Sequence, residues 1–418
     1  MKSLAIVLIL ILLQASSCNR EEPAIIKNNE GIITSKAPTW STSISDNNQY
    51  AAGASNSIKY NTTVVIGSIE NGKNGLTGIN AKNGEKLWNW QDNFPNYTLD
   101  IYKFYLDNKY LSWEEGRNLY CLNLETGKTV WKNRFDLKDS PYFLNVTGFE
   151  TEFYVNSYWP YDGYPKEAHI YKTSVKNGSL VEVVVLKSEE PNTNTEPSDL
   201  VVTKDNNGDK LLFFDSYTYK DNNDGKASIN LYNLSKKEWV YKERPWFLNL
   251  VPSGGRTKIL DGVVYMTAGS NVVALSLNDG EKVWFKQFED KTHFVFSGFI
   301  LVPEKNLIIF NAEGSGTTLY ALDLTTGQTV WSEPSSGTSS HLQYLNGVVY
   351  FVGGGDGLLH AVDIDTGKHL WKISSPDLAV NSNAWFARYC AVFPGEDGKK
   401  GKVVVSSGLH AFAYEAER

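Results

Sequence analysis

The chain has 418 residues, of which 41% are hydrophobic and 13% aromatic, so it can bury a substantial core as one large or several ordinary domains. Its formal charge of -7 lacks the basic face that phosphates demand, which excludes nucleic acid as the natural partner. Only 2 Met and 3 Cys stand beside 34 Gly and 23 Tyr, a balance of turn formers and strand formers that leans all-β.

The first segment, "MKSLAIVLILILLQASSC", has a basic start at Lys2, an apolar run from Leu4 to Leu13, and small residues before Cys18. The run is too short for a spanning helix and reads as a signal peptide over residues 1–17. Small residues directly before a Cys resemble a bacterial lipoprotein signal, in which the Cys becomes the lipid-bearing N-terminus. Ala15 departs from that motif, which usually has Leu three residues before the Cys. The resemblance implies lipidation of Cys18 with diacylglycerol and palmitate-class chains. Each buried CH₂ adds about 0.8 kcal/mol of membrane affinity, so two or three chains anchor firmly. It also implies an envelope location, expected at the outer membrane facing the periplasm or the cell surface. Residues 18–37 are polar and aperiodic and read as a flexible tether; Glu21 and Glu22 resemble a surface-export signal as well as a solvated linker.

From residue 38 to 418 a phrase recurs. Aligned on its glycine it reads "GINAKNGEKLW" (Gly84, Trp88), "CLNLETGKTVW" (Gly127, Trp131), "ALSLNDGEKVW" (Gly280, Trp284), "ALDLTTGQTVW" (Gly327, Trp331) and "AVDIDTGKHLW" (Gly367, Trp371). Four residues before each Gly stands Asn80, Asn123, Ser276, Asp323 or Asp363, a side chain able to accept from a turn backbone. The Gly supplies the positive-φ position. Each copy therefore reads strand, tight turn, strand. Upstream, Asn346-Gly347 and Asp261-Gly262 between apolar runs signal further hairpins, so one unit is a four-stranded meander.

The period is 43 residues from Trp88 to Trp131, 47 from Trp284 to Trp331 and 40 from Trp331 to Trp371. Four short strands per such period predict a β-propeller. Two copies are degenerate. "YKTSVKNGSLVEV" keeps Gly178 but has Glu182 at the Trp position; "LYNLSKKEWV" keeps Trp239 but lacks the Gly and looks two residues short. The tail "GKVVVSSGLHAFAYEAER" supplies only two strands, and "PTWSTSIS", with Trp40, is expected to complete its blade. That gives eight blades, or seven if the degenerate units form one irregular region.

Phrases of this form resemble the repeat of pyrroloquinoline quinone-type propellers. The resemblance implies that Trp88, Trp131, Trp239, Trp284, Trp331, Trp371 and Trp40 pack between blades near the motif Gly, as scaffold. The family holds quinone-dependent dehydrogenases and cofactor-free scaffolds, among them the propeller lipoprotein of outer-membrane protein assembly. The anchor, the blade count and the chain length resemble the scaffolds.

Chemistry is sparse. The vicinal Cys pair of many quinone dehydrogenases is missing; Cys121 and Cys390 read as core residues of separate blades, not as a disulfide. The six His are scattered, with His360 and His410 beside Ala361 and Ala411 in what look like equivalent slots. "KDNNGDK" (Lys204–Lys210) and "KDNNDGK" (Lys220–Lys226) lack the spacing of a Ca²⁺ loop and read as hairpin tips. No catalytic, cofactor or metal residue is assigned. The expected function is a non-catalytic binding propeller, monomeric, membrane-held and bound to an envelope protein. The alternatives are a glycan or small-molecule receptor and a quinone dehydrogenase. Candidate binding residues are Tyr158, Trp159, Tyr161, Tyr164, Arg244, Trp246, Trp385 and Arg388, because aromatics and Arg on loops are the currency of interface hot spots.

Overall fold

A four-stranded meander can hide only one face of its sheet, so each repeat must lean on a neighbour. The computed structural model describes residues 34–46, 57–92, 104–115, 117–135, 142–158, 167–187, 193–219, 225–246, 257–288, 298–312, 317–337, 341–386 and 389–418. They form eight four-stranded antiparallel sheets, the blades of one propeller. Blade seven is representative: Gln343–Leu345, Val348–Val352, Leu359–Asp363 and His369–Ile373, from inner to outer strand. Its two middle strands are buried along their whole length. Asn346 and Gly347 turn at φ 49° and 79°, and Asp261 and Gly262 at 49° and 77°, the two-residue hairpin geometry expected from their sequence. Because the strands alternate in direction, turns 1–2 and 3–4 of a blade lie at one end, the turn face. Connections 2–3 and those between blades lie at the other, the loop face.

The repeated phrase is the 3–4 turn. Asp323 Oδ1 accepts from the N–H of Thr325 at 3.0 Å and of Thr326 at 2.7 Å, and the Gly327 N–H donates to the Asp323 carbonyl at 2.8 Å. The Trp of one blade reaches over the turn of the next. Trp40 Nε1 donates to the Ala81 carbonyl (2.9 Å), Trp88 to Leu124 (2.8 Å), Trp131 to Val175 (2.7 Å), Trp284 to Leu324 (2.9 Å) and Trp331 to Ile364 (2.8 Å). The glycine is needed twice over. At Gly327 φ is 70°, and a Cβ there would sit 2.5 Å from the Trp284 ring.

The ring closes as its first strand predicts. Trp40–Ser43 pairs with His410–Glu415, Trp40 opposite Ala413, and becomes the outer strand of blade eight. No 3–4 turn follows Glu415. Instead the Glu417 N–H donates to the Tyr350 hydroxyl at 2.9 Å, Arg418 pairs with Asp363 at 2.5 Å, and the Lys36 ammonium lies 4.9 Å from the centre of the buried Trp371 ring. Trp371 Nε1 has no acceptor among the described residues.

Blade four corrects the sequence reading. Trp239 does not occupy the repeat slot. Leu231 stands opposite Tyr241, as Ala321 stands opposite Trp331, and the Tyr241 hydroxyl donates to the Leu277 carbonyl at 3.2 Å. Lys237 takes the glycine position at φ 59°. The unit has full length, with Tyr for Trp and Lys for Gly. The bulge between Leu231 and Tyr232 turns Trp239 to the opposite face, where it packs at the blade three–four boundary beside Tyr232, ring centres 5.0 Å apart. The extra length here lies partly in long strands, Asn194–Lys204 and Lys210–Tyr219, joined by the hairpin tip around Gly208 (φ 84°).

The glycine–indole contact has a direct test. Gly327→Ala adds left-handed strain of about 1–2 kcal/mol and a steric overlap of about 1–3 kcal/mol. Gly72, at φ 69° with nothing within 4 Å of a built Cβ, carries the strain alone. Thermal melts should therefore show Gly327→Ala costing at least twice what Gly72→Ala costs. Equal costs would remove the interblade role of the glycine.

Candidate functional site

Two clusters of buried polar side chains built around His and Asp stand on the loop face of blades seven and eight. His360 is fully buried in the third strand of blade seven. Its Nε2 lies 3.1 Å from the Asp356 carboxylate and 3.3 Å from Ser336 Oγ, and its Nδ1 lies 3.1 Å from His369 Nε2. Asp356 belongs to the Gly-rich 2–3 connection, held against the preceding interblade loop by Gly355 N–H to the Ser336 carbonyl at 2.8 Å. Burial lowers the basicity of both imidazoles, and burial with neighbouring Lys372 and His360 takes His369 down to about 3. Both rings are thus neutral near pH 7: His360 donates through Nε2 to Asp356 and accepts at Nδ1 from His369. Burial pushes the Asp356 carboxyl up, but hydrogen bonds from His360, the Leu358 N–H and Ser336 outweigh it and hold the acid at about 2.

In blade eight the pairing is different. His410 Nδ1 lies 2.9 Å from Asp377, a buried residue of the short 3₁₀ turn Pro376–Ala379 capped by Ser375. Ser407 Oγ donates to the same Asp377 carboxylate and accepts the N–H of Leu409 (3.2 Å) and His410 (3.1 Å). A nucleophilic triad sets the imidazole between the hydroxyl and the acid. Here the acid sits between hydroxyl and imidazole, so Ser407 is paired with a carboxylate and not with the imidazole, and the group ties the Ser407–His410 turn to the 3₁₀ turn. Nor do His360 and His410 share a slot. Ala413 faces Trp40 as Ala361 faces Trp371, so Phe412 is the counterpart of His360 and His410 lies two residues earlier.

The candidate binding residues fall into three groups. Trp385 is 46% exposed, and its ring rests on Gly357, where a Cβ would come within 2.6 Å. The adjoining Phe386 is buried and donates its N–H to the Gly357 carbonyl at 3.3 Å, which fixes Trp385 on a rigid seat. His341 stacks on Tyr389 nearby, ring centres 4.5 Å apart. Arg244 and Trp246 are corrected. Arg244 pairs with Glu281 of the next blade beside Gly280, and Trp246 is 4% exposed in the core between blades four and five. Both belong to the scaffold, because the outer strand of blade four runs on to Pro245 and carries Trp246 under the neighbouring blade. Tyr158 ends a strand, Glu152–Tyr158, that opens on the loop face. Trp159, Tyr161, Tyr164 and Arg388 lie outside the described residues, as do Cys18 and the tether to residue 33.

Cys121 and Cys390 are free, buried in separate blades, with thiols pushed up by burial to about 11 and about 12. Among the described residues no three His, Cys, Asp or Glu stand together as metal ligands.

The His369 environment gives a pH signature. Unfolded, this ring takes a proton below about 6.5; folded, only near 3. Stability should fall as pH drops below about 6.5, by up to about 1.4 kcal/mol per unit. Asp356, whose acid is strengthened in the fold, adds its own loss only below about pH 4. Melting temperatures between pH 7 and 5 should decline in the parent and decline less in His369→Gln; parallel curves would count against the neutral His pair.

Residues 268–408 match a family model described as outer membrane protein assembly factor BamB. Among curated proteins no relative matches the sequence. The chain is similar in structure to BamB from Moraxella catarrhalis, with a TM-score of 0.57 and 11% identity over 91% of this chain and 99% of that one. It is similar to a europium-containing methanol dehydrogenase, at 0.62 and 12% over 88% and 84%. It is also similar to quinohemoprotein alcohol dehydrogenase from Comamonas testosteroni, at 0.62 and 12% over 91% and 76%. At these identities the likeness shows the fold, which enzymes and an assembly factor share.

Proposed function

We propose that this eight-bladed propeller of PQQ-type repeats is a non-catalytic binding scaffold of the bacterial envelope, anchored through lipidated Cys18 and presenting its loop face to a protein partner. The observation that carries the reading is Trp385, a large aromatic left 46% exposed on a rigid seat at the loop face. An exposed indole held in one orientation costs little ordering entropy on binding, which is the property of a hot-spot anchor. The strands that flank the aromatic segment after Tyr158 open toward the same face. A role in outer-membrane protein assembly is the most specific form of this reading, supported by the family match over residues 268–408.

A second reading is a ligand-binding or quinone-dependent propeller, favoured by the dehydrogenase likeness at TM-score 0.62. The cysteine and acidic pattern of the described residues weighs against it.

The deciding experiment is affinity capture of the tagged, lipid-bearing protein from mild-detergent extracts of its own membranes. The scaffold reading expects barrel-assembly proteins with the parent chain and at least a tenfold loss with Trp385→Ala combined with Trp159→Ala. A chain recovered alone would remove this reading and direct attention to glycan and quinone binding.

A further inference from the structure

Seven of the eight blade interfaces are filled at the position of the repeat tryptophan. Five carry the indole-over-glycine contact, blade four offers Tyr241, and blade seven buries Trp371 under the tail. The interface between blades three and four differs in all three parts of the contact at once. Strand register puts Val181 opposite Lys172, as Trp331 stands opposite Ala321, so Val181 takes the Trp position, Lys172 that of the small residue facing it, and Lys237 that of the turn glycine of the next blade. Glu182, four residues after Gly178, pairs instead with Tyr171 on the opposite face of the sheet, where its carboxylate meets His169 Nδ1 at 2.7 Å. Lys172 is drawn aside to Glu152 at 2.8 Å. What is left is a cleft of about 380 Å³ between Val181–Val183 of blade three and Leu234–Lys237 of blade four.

The acceptor that serves an indole elsewhere is still in place. Lys237 holds φ 59°, close to the 64° of Gly127, and the Asn233 side chain accepts the Lys236 N–H at 2.9 Å as Asp323 accepts that of Thr326. The turn therefore presents the Leu234 carbonyl as the other turns present Leu124 and Leu324. Among the described residues no side chain donates to it, and no acid is paired with Lys237. Val181, 52% exposed, supplies an apolar rim.

We infer that this vacated slot is a docking site for a tryptophan side chain of a partner protein, its indole N–H on the Leu234 carbonyl and an adjacent carboxylate on Lys237. The occupant is defined by the molecule itself: the same backbone frame holds an indole at five other interfaces, and the one unpaired cation at its mouth calls for an acid. The inference rests on the binding-propeller reading above and names the chemistry of the partner.

The test uses the purified full chain and N-acetyl-tryptophan, with its amide as the uncharged probe, read by saturation-transfer NMR at millimolar concentration. The parent should bind both, the acid at least threefold more tightly. Val181→Trp, which refills the slot from within, should abolish binding and leave the melting temperature equal or higher. Val181→Arg, at the same half-exposed position, gives an independent loss should Val181→Trp fail to fold. Lys237→Gln should erase the preference for the acid. No signal with the parent, or equal signals with the parent and both blocking variants, overturns the inference. In the membrane capture experiment, a partner that persists with Val181→Trp also overturns it, while the scaffold reading stands; no partner with either chain removes the scaffold reading itself.

Discussion

The interaction on which the molecule depends is the indole of one blade laid over the turn glycine of the next. It joins three terms that are individually modest. Burying a Trp side chain is worth about 3–5 kcal/mol against Ala in a packed site. The indole N–H satisfies a turn carbonyl that would otherwise need water. The glycine both permits the left-handed turn and leaves room for the ring. Repeated around the circle, this contact fixes the spacing and tilt of successive blades. Nearest-neighbour contacts of this sort make a propeller cooperative without any long hydrophobic core.

The departures from the contact define the character of the molecule. In blade eight the third strand, His410–Glu415, and the fourth, Trp40–Ser43, come from opposite ends of the sequence, so no 3–4 turn joins them over Trp371. Lys36, Glu417 and Arg418 do the covering instead, with charges and hydrogen bonds taking the place of a glycine turn. Between blades four and five the phenol of Tyr241 spans the same distance as an indole, and Arg244 with Glu281 seals the edge. Between blades three and four the seal is absent, and Trp239 packs deeper, along the strands.

Polar groups on the loop face are ordered for support. In blade seven an acid, two neutral imidazoles and a serine satisfy one another inside the fold, which is how buried polar groups persist without a large desolvation penalty. In blade eight Asp377 is the hub that ties His410 and Ser407 to a loop. In the first the His360 ring lies between the Asp356 carboxylate and Ser336 Oγ; in the second the Asp377 carboxylate lies between Ser407 and His410. The loop face thus offers a firm base on which Trp385 stands clear.

The sequence by itself determined the repeat, the four-strand unit and the closing role of Trp40, because each rests on local chemistry: a turn glycine, a polar acceptor four residues earlier, a Trp four residues later; it left seven or eight blades open, and the eight sheets decide it. Tertiary structure decided what depends on pairing register. The bulge between Leu231 and Tyr232, which the regular blades share, puts Tyr241 in the repeat slot and Trp239 on the other face; only the eight-residue spacing from Asn233 hints at this in the sequence, because Lys237 hides the turn that the glycine marks elsewhere. The same limit applies to Arg244 and Trp246, which look like loop residues but lie under the next blade, and to His360 and His410, whose neighbours are alike and whose registers differ. Val181, Glu182 and Lys237 come together only because two blades meet. An alternating strand tells which residues share a face; only the neighbouring blade tells whether that face is covered.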